Sequence, residues 1–128
     1  MRVVVCGSRH FSDPLSATAA IVKRVQELPS GSTVIHGNAA GADRLAAFAA
    51  EKAGLDVISM PADWETHSAS CWCRGQGWCR EAGKRRNLKM LDRRPDLVIA
   101  FWNGASTGTL HTITHARRRG ISVEVIRP

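Results

Sequence analysis

The stretch "DLVIAFWNGASTGTLHTITHARRRGISVEVI" (Asp96–Ile126) decides the fold. Asp96–Phe101 is the most hydrophobic strand candidate in the chain, with a short apolar run bounded by breakers. A loop of small residues follows, and a helix starts near Gly108, with Leu110, Ile113 and Ala116 at helical spacing and Gly120 as its stop. Ile121–Ile126 then alternates apolar and polar residues, which suits a strand at a sheet edge or on a half-covered face. A strand, a crossover helix and a second strand form a parallel pair, because parallel neighbours require such a connection.

Working outward, the same alternation fills the rest of the chain. Arg2–Cys6 reads as a buried, β-branched strand ending in Gly7. Asp13-Pro14 supplies an N-cap with proline at the first helical position, and Ile21, Val25 and Leu28 continue at helical spacing until Pro29–Ser32 breaks the run. Thr33–Gly37 is a second strand, and Gly41–Ala53 a second helix with Leu45, Phe48 and Ala49 on one face. Asp56–Met60 is a third strand. A third helix runs from Ala82 to about Arg93, with Leu88 and Leu91 facing inward.

This order predicts an α/β, Rossmann-like, doubly wound parallel sheet of about five strands with helices on both faces. At 128 residues the chain is one domain, 1–128, with a cysteine-rich insert at about 67–80 after the third strand. The composition, 44% hydrophobic and 23% charged, is that of a globular protein, and no apolar run approaches the roughly 18 residues of a membrane span. With no signal-like N-terminus, the expected compartment is the cytoplasm. A formal charge of +7 points to a polyanionic partner, either nucleic acid or a phosphorylated small molecule.

In a parallel sheet the ligand crevice lies beyond the carboxyl ends of the strands, where strand order reverses. Three small-residue loops fall on that side: Gly7, Ser8 and Arg9; Gly37 to Gly41 with Asp43; and Gly104, Ser106, Thr107, Gly108 and Thr109. Such loops at helix N-termini leave backbone N–H groups free for phosphate oxygens. None is a Walker loop or a G-x-G-x-x-G turn.

The segments "VVVCGSRHF", "VIHGNAAGADRLAAFAAE", "PADW", "GKRRNLKM", "PDLVIAFWNGASTGT" and "ARRRGISV" together resemble the SLOG superfamily, in particular its YspA-type, cpYpsA-related branch. The resemblance implies a Rossmann-like fold that senses, processes or sequesters nucleotide-derived molecules such as ADP-ribose- or NAD-related ligands, often in phage or bacterial conflict systems. It assigns the three loops to ligand binding. It also matches Arg86–Met90 to the arginine motif of the family's phosphoribohydrolases, with Asn87 beside it. The glutamate that accompanies that motif is replaced here by Thr112. Glycosidic cleavage needs a carboxylate; Asp43 and Glu65 are the substitutes available, with Arg86 the third catalytic candidate. Binding is therefore favoured over phosphoribohydrolase or N-glycosidase activity. Single-stranded nucleic-acid binding through the basic third helix is a further alternative, and homo-oligomerisation is left open.

Trp64 and Trp102 follow the third and fourth strands, where each either covers a bound base or sugar or fills the core. Trp72 and Trp78 are the aromatics that nucleic-acid stacking would use. His36 either lines the crevice or bonds the backbone, while His111 and His115 read as a solvated helix face. In "HSASCWCRGQGWC", His67, Cys71, Cys73 and Cys79 make a complete tetrahedral zinc set, structural by ligand count. A redox-active thiol pair and unlinked thiols are the alternatives.

Overall fold

A computed structural model describes residues 1–128. The strands are β1 (Arg2–Gly7), β2 (Thr33–His36), β3 (Asp56–Ser59), β4 (Leu97–Phe101) and β5 (Ser122–Ile126). The helices are α1 (Pro14–Gln26), α2 (Ala42–Lys52), α3 (Ala82–Asp92) and α4 (Thr107–Arg118). All strands are parallel, in the order β3-β2-β1-β4-β5. The chain moves outward from β1 to β3, then α3 carries it back across the sheet to β4. Strand order thus reverses between β1 and β4, whose register pairs Cys6 with Ala100 and Gly7 with Phe101.

The period-two alternation of β1 sends side chains into two cores. Val3 and Val5 pack with Ile21, Val25, Ala46, Ala50 and Phe101 on the face covered by α1 and α2. Val4 and Cys6 pack with Met90, Leu91, Ile113 and Ala116 on the face covered by α3 and α4. As expected from the sequence, Asp13 caps α1 by accepting the Ser16 N–H at 3.0 Å, ahead of Pro14.

Three helix faces differ from their apolar patterns. In α2 the inward residues are Ala42, Ala46, Ala49 and Ala50, while Phe48 is 57% exposed beneath the Lys52 ammonium. The reason is separation: a Cβ on Gly7 would lie 2.5 Å from Ala42 Cβ, so α2 sits too close to β1 for a larger side chain. In α3 Met90 rather than Leu88 joins Leu91 in the core. In α4 Thr109 and Thr112 turn inward with Ile113 and Ala116, which leaves Leu110 outside. Residues 61–81, between β3 and α3, contain no helix or strand. No helix is long and apolar enough to cross a membrane.

Candidate functional site

A cleft of about 620 Å³ opens at the carboxyl ends of β1 and β4, where strand order reverses. Its floor is the turn Gly7–His10 and the segment Asn103–Thr109; its sides are α3 and the insert. Ser8 ties the two loops together: its N–H donates to the Phe101 carbonyl at 2.9 Å, and its Oγ accepts the Asn103 N–H at 3.2 Å. Asn103 shapes the approach to α4, because its Oδ1 accepts the N–H groups of Ala105 and Ser106 at 2.9 and 3.0 Å. Ser106 then caps α4 by accepting the Thr109 N–H at 3.4 Å. The N–H groups of Thr107 and Gly108 donate to nothing in the chain, and both residues line the cleft. These are the first-turn donors that anions engage.

The cleft is basic. Arg9, Arg80, Lys84 and Arg86 line it, against one carboxylate, Asp43. Asp43 is buried and its Oδ2 accepts from the Gly37 and Ala39 N–H groups at 3.0 and 3.3 Å, which braces the loop after β2. Its Oδ1 takes no hydrogen bond. Burial pushes this carboxyl up to about 6, against the pull of those N–H groups and of Arg86.

Arg86 serves the framework as well as the cleft. Its Nη1 donates to the Gly37 carbonyl and, at 3.5 Å, to Met60, while Nε donates to Asn87 Oδ1 at 3.0 Å. Nη2 has no partner in the chain. A Cβ on Gly37 would fall within 2.9 Å of the Nε, Cζ and Nη1 of this guanidinium, so a side chain there would have to displace it. Asn87 is buried at the cleft wall, its Nδ2 3.4 Å from the Gly108 carbonyl and from His111 Nδ1.

Of the candidate residues, the structure brings Gly7, Ser8, Arg9, Asp43, Arg86, Asn87, Ser106, Thr107, Gly108 and Thr109 to one cleft. Gly37, Gly41 and Gly104 do not line it; Gly41 and Gly104 shape their loops with φ of +87° and +85°. Glu65 is exposed and does not line it. His36 is buried, with Nδ1 accepting the Asn38 N–H at 3.0 Å; burial, then Arg86, lowers its pKa, so it is a neutral brace. Cys6 lines the cleft, but burial raises its thiol far above the ordinary range and keeps it protonated. His111 and His115 stack at 4.4 Å. Trp102 is half-buried outside the cleft, its indole N–H on the Ser106 carbonyl at 3.0 Å and Arg127 over its ring.

Trp64 does line the cleft, together with Trp78, Arg80 and Lys84, which the sequence pattern did not assign to it. Arg80 lies in the turns before α3, so no helical spacing ties it to Lys84 in the sequence.

Beside the cleft, His67, Cys71, Cys73 and Cys79 converge, with their ligand atoms all within 4.8 Å of one another. His67 Nδ1 lies 3.2 Å from Cys71 Sγ and 3.7 Å from Cys73 Sγ, and the Cys73 and Cys79 sulfurs are 3.7 Å apart. A zinc tetrahedron with bonds of about 2.0–2.3 Å has edges of about 3.5–3.8 Å, so the donor set fits the metal. The surroundings suit thiolates. Arg80 N–H donates to Cys73 Sγ and Arg85 Nη1 to Cys79 Sγ, both at 3.2 Å. Burial pushes the Cys79 thiol up, but Arg85 and the Glu81 N–H outweigh it and bring it down to about 7. His67 Nε2 lies 3.0 Å from the Gln76 carbonyl, which fixes the ring and leaves Nδ1 for the metal.

The family model of the YspA, cpYpsA-related SLOG family (YAcAr) matches residues 1–67. A Gene 61 protein of Mycobacterium phage D29 is 33% identical over 127 residues, 95% of this chain and 93% of its own. The chain belongs to this SLOG family. Among solved structures, DNA processing protein A (DprA) from Streptococcus pneumoniae superposes with a TM-score of 0.76 at 21% identity, over 99% of this chain and 50% of its own. The chain thus spans half the DprA length. TM1055, a structural-genomics target, superposes with a TM-score of 0.64 at 22% identity, over 95% of this chain and 71% of its own. At these identities the likeness is one of fold.

Proposed function

We propose that the cleft binds a phosphorylated, nucleotide-derived small molecule, such as an ADP-ribose- or NAD-related ligand, and senses or sequesters it. One observation carries this reading: Thr107 and Gly108, whose N–H groups have no partner in the chain, line the same basic cleft as Arg9, Arg80, Lys84 and Arg86. Oriented N–H donors, a helix dipole and cations favour a phosphate over a neutral ligand. A volume of about 620 Å³ suits a ligand of nucleotide size. Membership of a SLOG family supports nucleotide-related binding or processing in general. Nothing in this reading depends on a membrane. Phage or bacterial conflict systems are the setting in which such a binder would act.

Hydrolysis of a nucleotide N-glycosidic bond is the second reading, and Asp43 favours it. This carboxyl lines the cleft, is held near 6, and keeps Oδ1 free, as a general acid or base would. It is also the only carboxylate there and is committed to bracing the loop, which favours binding.

His67, Cys71, Cys73 and Cys79 would hold a structural zinc, since four protein ligands leave no position for water. The metal would fold an insert whose own apolar cluster is little more than Cys73, Cys79 and Ala82.

A panel of nucleotides, NAD, ADP-ribose and short single-stranded oligonucleotides, screened by thermal melting, tests these readings. Ligand at about 100 times its Kd raises Tm by on the order of 10 °C in a chain of this size. Chemically intact ligand recovered afterwards means binding; released base means hydrolysis. Steeply salt-dependent oligonucleotide binding without a nucleotide shift would refute the small-molecule reading.

A further inference from the structure

The cleft has two unlike walls. The loops after β1 and β4 present backbone donors, whereas the segment between β3 and α3 presents aromatic surface. Trp64 and Trp78 meet edge to face, with ring centroids 5.2 Å apart and planes at 70°. Both line the cleft, yet they remain 40% and 51% exposed. Neither indole N–H has a partner in the chain. The Arg80 guanidinium lies 5.3 Å from the Trp78 ring and lines the same cleft.

This platform is built into the chain. A Cβ on Gly83 would lie 3.0 Å from Trp64 Cη2, so glycine at the start of α3 admits that ring. The Cys79 N–H donates to the Trp64 carbonyl, and the Arg80 N–H donates to Cys73 Sγ. Trp78 and Arg80 therefore flank Cys79 within the cysteine cluster, and the cluster sets where both side chains stand.

Resting on the nucleotide reading of the cleft, we propose that Trp64, Trp78 and Arg80 form its base-recognition subsite. The base of the nucleotide stacks on the indole surface while its phosphate lies across the cleft on the Thr107 and Gly108 N–H groups. Stacking uses the π face that every base has, so this wall selects nucleotides over sugar phosphates more than one base over another. An ordered cluster at His67, Cys71, Cys73 and Cys79 is then a condition of base recognition but not of phosphate binding.

Titration calorimetry with AMP, UMP and ribose 5-phosphate on the full, zinc-loaded chain tests the subsite. The wild type binds both nucleotides more tightly than ribose 5-phosphate, and AMP quenches indole fluorescence. Trp78→Ala weakens AMP and UMP by on the order of 10- to 100-fold and leaves ribose 5-phosphate within about twofold. Trp78→Phe keeps most of the nucleotide affinity. Trp78→Leu, which keeps bulk without a π face, gives the same loss and serves if Trp78→Ala sheds its metal. Unchanged nucleotide affinity in these variants, or an equal loss for ribose 5-phosphate, overturns the subsite. A wild type that binds ribose 5-phosphate as tightly as AMP overturns the subsite and spares the phosphate site. A wild type that binds neither these three nor ADP-ribose and NAD defeats the underlying reading as well.

Discussion

Asp43→Asn removes one proton-binding site from the floor of the cleft while keeping an oxygen for the Gly37 and Ala39 N–H groups. In the folded chain burial raises the Asp43 carboxyl from 3.8 to about 6; in the unfolded chain it titrates near its ordinary value. Between those two pH values the folded state holds the proton and the unfolded state has released it. Stability then falls as pH rises, since the slope has the sign of protons bound unfolded minus protons bound folded. A separation of about two pK units corresponds to about 3 kcal/mol, lost between roughly pH 4 and 6 and constant above. The side chain is buried, so solvent does not screen the effect away. Urea denaturation of wild type and Asp43→Asn at half-unit steps from pH 4 to 7.5 reads this directly, because every other titration cancels in the difference. The wild-type stability should decline relative to the variant up to about pH 6 and then run parallel. A difference that is flat, or that grows in favour of the wild type with rising pH, would show that Asp43 is solvated or ion-paired and would remove it as a candidate acid or base.

Gly7→Ala places a methyl 2.5 Å from Ala42 Cβ and 3.0 Å from the Phe101 carbonyl oxygen, so it should cost about 1–3 kcal/mol in urea unfolding by prying α2 from β1. Arg86→Lys cannot fork onto the Gly37 carbonyl and Asn87 Oδ1 together and should destabilise by about 1–3 kcal/mol, even though the charge is kept. Cys73→Ser should lower zinc affinity by more than roughly 100-fold, as read by metal analysis after dialysis. In that variant hydrogen exchange should quicken across residues 61–81 while the β1 and β4 amides stay protected.

The strands were legible because β1, β2 and β4 are short β-branched runs ended by glycine, histidine or an aromatic, and the alternation with helices admits few topologies. The order β3-β2-β1-β4-β5 then follows from a single return crossover. Helix orientation was less legible, for one reason. An apolar pattern ranks residues by size, whereas the depth available to a helix is set by its partner. Gly7 brings α2 so close to β1 that alanines form the inner face and Phe48 is turned out. In α4 Thr109 and Thr112 are the buried residues, their hydroxyls meeting Ser106 and the Gly108 carbonyl, while Leu110 is 42% exposed.

The place of the cleft's donor loops could be anticipated because it follows from sheet topology, and those residues lie in loops joined to the strands. On the aromatic side only Trp64, which follows β3, was legible. Trp78 and Arg80 reach the cleft only because residues 67–79 fold back on themselves around four ligand atoms, a path with no period to read. This division has a functional consequence. Donors at the α4 N-terminus are positioned by backbone that Asn103, Ser8 and Ser106 hold, and changing them would disturb the fold. The insert's apolar residues form a cluster of their own, apart from the two cores that flank the sheet. On the proposed reading, such a cleft keeps its donor side while its second wall sets how strongly a base is held. Exchanging Trp78 should therefore alter how strongly nucleotides are preferred over sugar phosphates before it alters whether a phosphate binds.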